Sequence, residues 1–125
     1  MTLAGRKVVV IAFHDELESA FPPLNVAVGA ISSGAEVILA FSKDGMELLR
    51  KGFKPQPSLG KEEVRERLNE FGAPSFQELM EVARENGVRM ISTNGIHFKS
   101  DWNPEIRSIK WVLNEAADAD LFVHF

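Results

Sequence analysis

Three short apolar runs predict buried β-strands. The runs are Lys7–Phe13 (KVVVIAF), Glu36–Phe41 (EVILAF) and Val88–Ser92 (VRMIS). The first two lack polar alternation, which is typical of strands covered on both faces in a parallel sheet flanked by helices. A buried helix can show a similar run, but the valine and isoleucine content favours strand. A short terminal strand is predicted at Leu121–Val123.

Apolar residues at helical spacing predict helices between these strands. The first helix is expected to begin near Pro22-Pro23, because proline suits the first turn, and to end at Ser33 before Gly34. A short helix is predicted at Lys43–Arg50 with Ser42 as its cap. A charged surface helix with a narrow apolar stripe is predicted at Lys61–Phe71, after a surface loop at Phe53–Gly60.

Two further helices are predicted from capping residues. Ser75 and Glu78 have the spacing of a capping box, which predicts a helix from Phe76. Asn103 followed by Pro104 predicts the start of the last helix. Its expected buried stripe consists of Ile106, Ile109, Leu113 and Ala116.

The alternation of strands and helices predicts one domain over residues 1–125. We expect a three-layer α/β/α domain with a mostly parallel sheet of four or five strands. The net charge of −4 offers no basic surface for nucleic acid, and no apolar run reaches the roughly 20 residues of a membrane span. The N-terminus lacks the apolar segment of a signal peptide, so a cytoplasmic location is expected.

The sequence contains no cysteine. This absence excludes disulfides, thiolate metal ligands and a cysteine nucleophile or persulfide on this chain. Motifs for nucleotide binding (GxGxxG, GxxxxGK[ST]) and for serine hydrolysis (GxSxG) are also missing. No cofactor and no catalytic residue are predicted.

Polar residues follow the predicted strands, and the carboxyl ends of parallel strands meet at one edge of a sheet. His14 and His97, with Asp15 nearby, would allow a metal site or general-base chemistry if they faced each other. The sequence has no metal-ligand spacing, however, so exposed or structural histidines are favoured and no metal is predicted. The candidate ligand-binding residues are His14, Asp15, Ser42, Thr93, Asn94 and His97.

Several segments together resemble the DsrE/DsrF-like family of small sulfur-relay proteins. They are KVVVIAF, ISSGAEVILAF, LLRKG, PSFQELMEVARENGVRMIST and the terminal DADLFVHF, which span nearly the whole chain. The resemblance implies a DsrE-like α/β fold, a homo-oligomer such as a trimer or hexamer, and a sulfur-relay protein as a possible partner. Active members carry a persulfide on a cysteine just after the third strand, and the corresponding position here is Thr93.

Two functions are compatible with this sequence. One is a non-catalytic DsrE-like subunit or binding protein related to intracellular sulfur transfer. The other is a small-molecule-binding protein or enzyme that reuses the pocket at the strand ends, with His14 or His97 as its polar group. In either case we expect the backbone amides of the Asn94-Gly95 turn to converge on the side chain of Thr93. The charge-free stretch Ser19–Ala35 indicates either a helix that is deeply packed on the sheet or a helix whose outer face forms an oligomer interface.

Overall fold

The computed structural model describes residues 2–125; Met1, which belongs to the predicted 1–125 domain, lies outside the described residues. The chain forms a five-stranded sheet of order β4-β3-β2-β1-β5 in which every neighbouring pair is parallel. The strands are β1 (Lys7–Ala12), β2 (Glu36–Phe41), β3 (Arg89–Ser92), β4 (Glu105–Ile106) and β5 (Leu121–His124). The helices are α1 (Leu17–Ser32), α2 (Glu63–Glu70), α3 (Phe76–Glu85) and α4 (Ile109–Ala117), with a 3₁₀ helix at Lys43–Leu49.

Alternate residues of the strands point to opposite faces, and both faces are covered. Val8 and Val10 of β1 belong to the larger core, which α1, α3 and the 3₁₀ helix cover. Val9 and Ile11 belong to the smaller core on the other face, where Val112 of α4 packs. This arrangement explains the unbroken apolar runs of β1 and β2 and confirms the predicted three-layer α/β fold.

Helix α1 begins about one turn before the predicted start. Pro22 and Pro23 therefore lie inside the helix rather than in its first turn. The earlier start is held by the carbonyl of Glu16, which accepts hydrogen bonds from the amides of Ser19 and Ala20 at 3.0 and 2.8 Å. The prediction was wrong because proline at this position was taken as a start signal, whereas tertiary packing extends the helix beyond it.

The prediction for the last helix was also wrong at its start. Asn103 does not cap it; instead Ser108 is the cap and accepts a 3.1 Å hydrogen bond from the amide of Trp111. The preceding residues Glu105–Ile106 form the short edge strand β4, which pairs with Ile91–Ser92 of β3.

The buried stripe predicted for this helix is correspondingly displaced. Ile106, Ile109 and Leu113 are exposed, at 62%, 41% and 50%, and Val112 is the fully buried residue of α4. These exposed apolar residues are available to line a cleft at the protein surface.

Of the two other predicted helix caps, Ser75 is confirmed and Ser42 is wrong. Ser75 accepts a 3.1 Å hydrogen bond from the amide of Glu78, as the capping box predicts. Ser42 makes no side-chain cap for the following 3₁₀ helix. Phe71, the last apolar residue of the helix predicted at Lys61–Phe71, follows α2 at its C-cap and is 83% exposed, so its prediction as part of the apolar stripe is wrong. Over residues 2–125, none of the helices has the length and apolarity needed to cross a membrane.

Candidate functional site

A cleft of about 620 Å³ opens at the carboxyl edge of the sheet, under the first half of α4. We call it the α4 cleft. Its polar lining residues are Ser42, Lys43, Thr93, Asn94 and His124. Its apolar lining residues are Ile11, Phe13, Ile109, Leu113 and Phe122.

The alternation of side chains along the strands explains why these residues share one cleft. Ile11 and Ile91 belong to the core that α4 covers. Residues two positions further along a strand face the same side, so Phe13 and Thr93 lie above that core at the strand ends. The same spacing relates Ala40 to Ser42 and Phe122 to His124. Four neighbouring strand ends therefore place one side chain each on the side of α4.

Thr93 is held at the end of β3 by the carbonyl of Phe41. The Thr93 amide donates to this oxygen at 3.2 Å, and the Thr93 hydroxyl donates to it at 2.9 Å. The partner of the side chain is therefore a carbonyl acceptor. The sequence led us to expect converging amides from the Asn94-Gly95 turn. The carbonyl of Asn94 instead accepts a hydrogen bond from the hydroxyl of Ser92.

The Ser42 side chain is the most buried polar group of the cleft. Ser42 is only 8% exposed. Its amide donates to Ala12 at 3.0 Å and its carbonyl accepts from Gly45 at 2.9 Å. Its hydroxyl has no hydrogen-bond partner among residues 2–125. Because this hydroxyl has no partner and is not one of the fully buried side-chain atoms, it opens onto the cleft and is available to a ligand.

The fixed charge along the cleft is positive. Lys43 is exposed, has a left-handed backbone conformation (φ 51°) and forms no ion pair with any described residue. No aspartate or glutamate lines the cleft in the part of the chain that the structure describes. The chain as a whole carries a net charge of −4, so this cleft differs in charge from the average surface.

The structure brings three of the six predicted site residues into the cleft and leaves three outside. Ser42, Thr93 and Asn94 line it, whereas His14, Asp15 and His97 do not. The two histidines do not face each other across neighbouring strands, because β2 lies between β1 and β3. The reversal of strand order lies between β1 and β5, next to His124 rather than His97.

Asp15 lies outside the cleft in an acidic environment. Partial burial raises its pKa, and the nearby carboxylates of Glu16, Asp44 and Glu47 raise it further. No group of three or more histidine, aspartate or glutamate side chains within residues 2–125 has a geometry that could hold a metal ion.

The six candidate residues predicted from the sequence do not include the apolar wall of the cleft or two of its polar residues, Lys43 and His124. His124 is exposed, lies edge-on to Phe13 with ring centroids 6.0 Å apart, and lines the cleft. Counting two residues past the buried Ile11 would have identified Phe13.

A second cavity of about 510 Å³ lies between α1, α2, α3 and the loop after the 3₁₀ helix. Phe21, Phe53 and Phe76 contribute to its apolar lining, and Lys54 and Arg65 are its cations. Arg65 already donates a hydrogen bond to Gln56 of the same loop. This cavity contains none of the predicted site residues and lies on the opposite face of the sheet from α4.

Comparison with known proteins supports the fold. No protein-family model matches the chain, and no curated protein matches its sequence. Among solved structures, the crystal structure of the ychN protein from E. coli is similar, with a TM-score of 0.71 and 18% identity. The match covers 96% of this chain and 99% of that one. It agrees with the predicted DsrE-like α/β fold, and at this identity it shows the fold alone.

Proposed function

We propose that this protein is a non-catalytic binding protein of DsrE-like fold, related to the proteins of intracellular sulfur transfer, and that it holds its ligand non-covalently in the α4 cleft. The observation that carries the proposal is the location of Thr93 in the lining of this cleft. Thr93 occupies the position at which the resemblance implies a persulfide cysteine, and it lines an open cleft of about 620 Å³. A hydroxyl forms no persulfide, so the pocket is kept without the sulfur chemistry.

The cleft has the composition of a binding site. An apolar wall of Phe13, Ile109, Leu113 and Phe122 faces a few polar groups at the strand ends. Binding pockets for small molecules usually combine a mostly apolar lining with a small number of polar groups that fix orientation. The volume also lies in the range of such pockets.

Native mass spectrometry of the intact protein tests this proposal. The protein is incubated with a small-molecule library, and bound species are compared between the wild type and Leu113→Trp, which fills the cleft. Leu113 is 50% exposed, so the larger ring should not disturb the core. Ligands that bind the wild type and are lost in Leu113→Trp support the proposal. Equal binding to both proteins, or no binding to either, contradicts it.

A second candidate is that the same surface docks a sulfur-relay partner. It is favoured by the exposed apolar residues at the rim, Leu113 and Phe122, which are 50% and 41% exposed. Size-exclusion chromatography with a persulfide-carrying protein of DsrE-like fold tests it. Co-elution that Leu113→Glu abolishes would support docking, and separate elution of the wild type would count against it.

A further inference from the structure

The polar end of the α4 cleft has the groups that bind an anion. Lys43 supplies a positive charge, and no acidic side chain of the described chain lines the cleft. Ser42, which is 8% exposed as a residue, supplies a hydroxyl that has no partner among residues 2–125 and opens onto the cleft. His124 is not one of these groups, because its ring lies beside those of Phe13 and Phe122, with centroids 6.0 and 6.3 Å away. Hydrogen bonds to an ionised acceptor are roughly twice as strong as those between neutral groups, so these donors favour a carboxylate over a neutral group.

The first turn of α4 also opens onto this end. Ile109 is the first residue of the helix and lines the cleft. Ser108 accepts hydrogen bonds from the amides of Trp111 and Val112, at 3.1 and 3.2 Å. The amides of Ile109 and Lys110 remain without a partner among residues 2–125. The positive end of the helix dipole therefore adds to the charge of Lys43.

The other end of the cleft is apolar and open. Phe13, Leu113 and Phe122 offer carbon surface and no hydrogen-bonding group. Leu113 and Phe122 are half-exposed in the free chain, and covering them with an apolar group removes carbon surface from water. The two ends together suit a molecule with an apolar body and one acidic head.

We propose that the ligand of the α4 cleft is a small amphipathic carboxylate, with its carboxylate at Ser42, Lys43 and the α4 N-terminus and its apolar body against Leu113 and Phe122. The proposal rests on the binding function proposed above and adds the chemical class of the ligand. It assigns no covalent step, because the bound molecule is held only by hydrogen bonds, charge and apolar contact.

Calorimetric titration of the intact chain with three matched six-carbon probes tests this inference. The probes are hexanoate, hexan-1-ol and hexylammonium, which share one apolar body and differ in the head group. We expect hexanoate to bind about tenfold more tightly than hexan-1-ol, since a hydrogen bond to a charged group contributes more than a neutral one. Hexylammonium should bind most weakly because Lys43 repels it. Acetate, which lacks the apolar body, should bind more weakly than hexanoate.

Three variants locate the head group. Ser42→Ala should weaken hexanoate about tenfold and leave hexan-1-ol nearly unchanged. Lys43→Gln should weaken hexanoate only about threefold, because its ammonium is exposed and screened. Lys54→Gln is the matched control, since Lys54 lines the second cavity, and it should have no effect.

Failure of the inference and failure of the proposed function give different results. Equal affinities for hexanoate and hexan-1-ol, or a Ser42→Ala variant that binds hexanoate normally, would overturn the carboxylate assignment while cleft binding stands. If none of the probes binds and the library of the previous section also yields no cleft ligand, both proposals are wrong.

Discussion

The hydroxyl of Thr93 donates a 2.9 Å hydrogen bond to the carbonyl of Phe41, the last residue of the neighbouring strand β2. The amide of Thr93 donates to the same oxygen at 3.2 Å. A carbonyl next to a side chain favours its protonated form, whereas converging amides favour an anion. The end of β3 is thus built to hold a hydroxyl, and this geometry determines how a thiol would behave there.

Thr93→Cys should give a folded protein with a poorly activated thiol. The Phe41 carbonyl accepts a hydrogen bond from the S–H group and disfavours the thiolate, so the thiol pKa should not fall below the roughly 8.5 of free cysteine. The pH dependence of alkylation by iodoacetamide measures it. Leu59→Cys is the reference, because Leu59 is 98% exposed. A pKa for Thr93→Cys clearly below that of Leu59→Cys would show that the site still activates sulfur.

Gly45→Ala should strongly destabilise the fold. A methyl carbon at Gly45 would lie 2.0 Å from the carbonyl oxygen of Ala12, so the 3₁₀ helix and the end of β1 would have to separate. We expect a loss of about 3 kcal/mol or more in the free energy of unfolding. Chemical denaturation measures it. The control is Gly95→Ala, whose methyl group would meet no atom within 4 Å and should change stability by less than about 0.5 kcal/mol. Similar stabilities for the two variants would contradict the packing.

Glu105→Gln should destabilise the protein in a pH-dependent way. Hydrogen bonds from Arg89, at 2.8 and 2.9 Å, lower the pKa of Glu105, and Arg107 lowers it further. A lowered pKa means that the carboxylate stabilises the fold above the unfolded-state pKa of about 4.3, and that this contribution is lost as the pH falls through the folded pKa.

Solvent screening of the Arg89–Glu105 ion pair limits the loss of stability in Glu105→Gln. The two side chains of the pair are 38% and 37% exposed, so the loss at pH 7 should stay below about 1 kcal/mol. Denaturation at pH 7 and at about pH 3 should show a gap between wild type and Glu105→Gln that closes at the lower pH. Glu63→Gln, on the exposed side of α2, should show no gap. A gap that persists at low pH would contradict the assignment to this ion pair.

Asn25→Glu should weaken self-association if α1 forms a homo-oligomer interface, as we propose from the charge-free stretch Ser19–Ala35. Asn25 and Gly29 are exposed on the outer side of α1, where a buried unpaired carboxylate would oppose contact between copies. Light scattering should give an oligomer, such as a trimer or hexamer, for the wild type and a smaller species for the variant. Asn69→Glu on α2 is the control. A wild type that is monomeric at high concentration would refute the interface.

The sequence correctly predicted those strands and helix starts that depend on neighbouring residues in the chain. The apolar runs of β1 and β2 and the Ser75 cap were found because burial on both faces and capping leave direct patterns. Strand β4 was missed because a strand of two residues is too short to show an alternation of apolar and polar side chains. Its position depends on pairing with β3 and on the contact of Arg89 with Glu105, which is a relation between distant residues.

Only part of the candidate site was predicted, for a similar reason. Ser42 and Thr93 directly follow strands, so strand ends were enough to find them. The apolar wall was missed because α4 was placed too early, which assigned Ile109 and Leu113 to the core. They line the cleft instead, and only the position of α4 over the sheet reveals this.

The most direct measurement is the mapping of backbone amide chemical shifts in the labelled protein during titration with hexanoate. If the α4 cleft is the binding site, the largest changes should fall on Lys43, Thr93, Asn94, Ile109 and His124, and they should disappear in Leu113→Trp. Changes centred on Arg65 and Gln77 in the second cavity, or no saturable change at all, would contradict the binding of an amphipathic carboxylate in the α4 cleft.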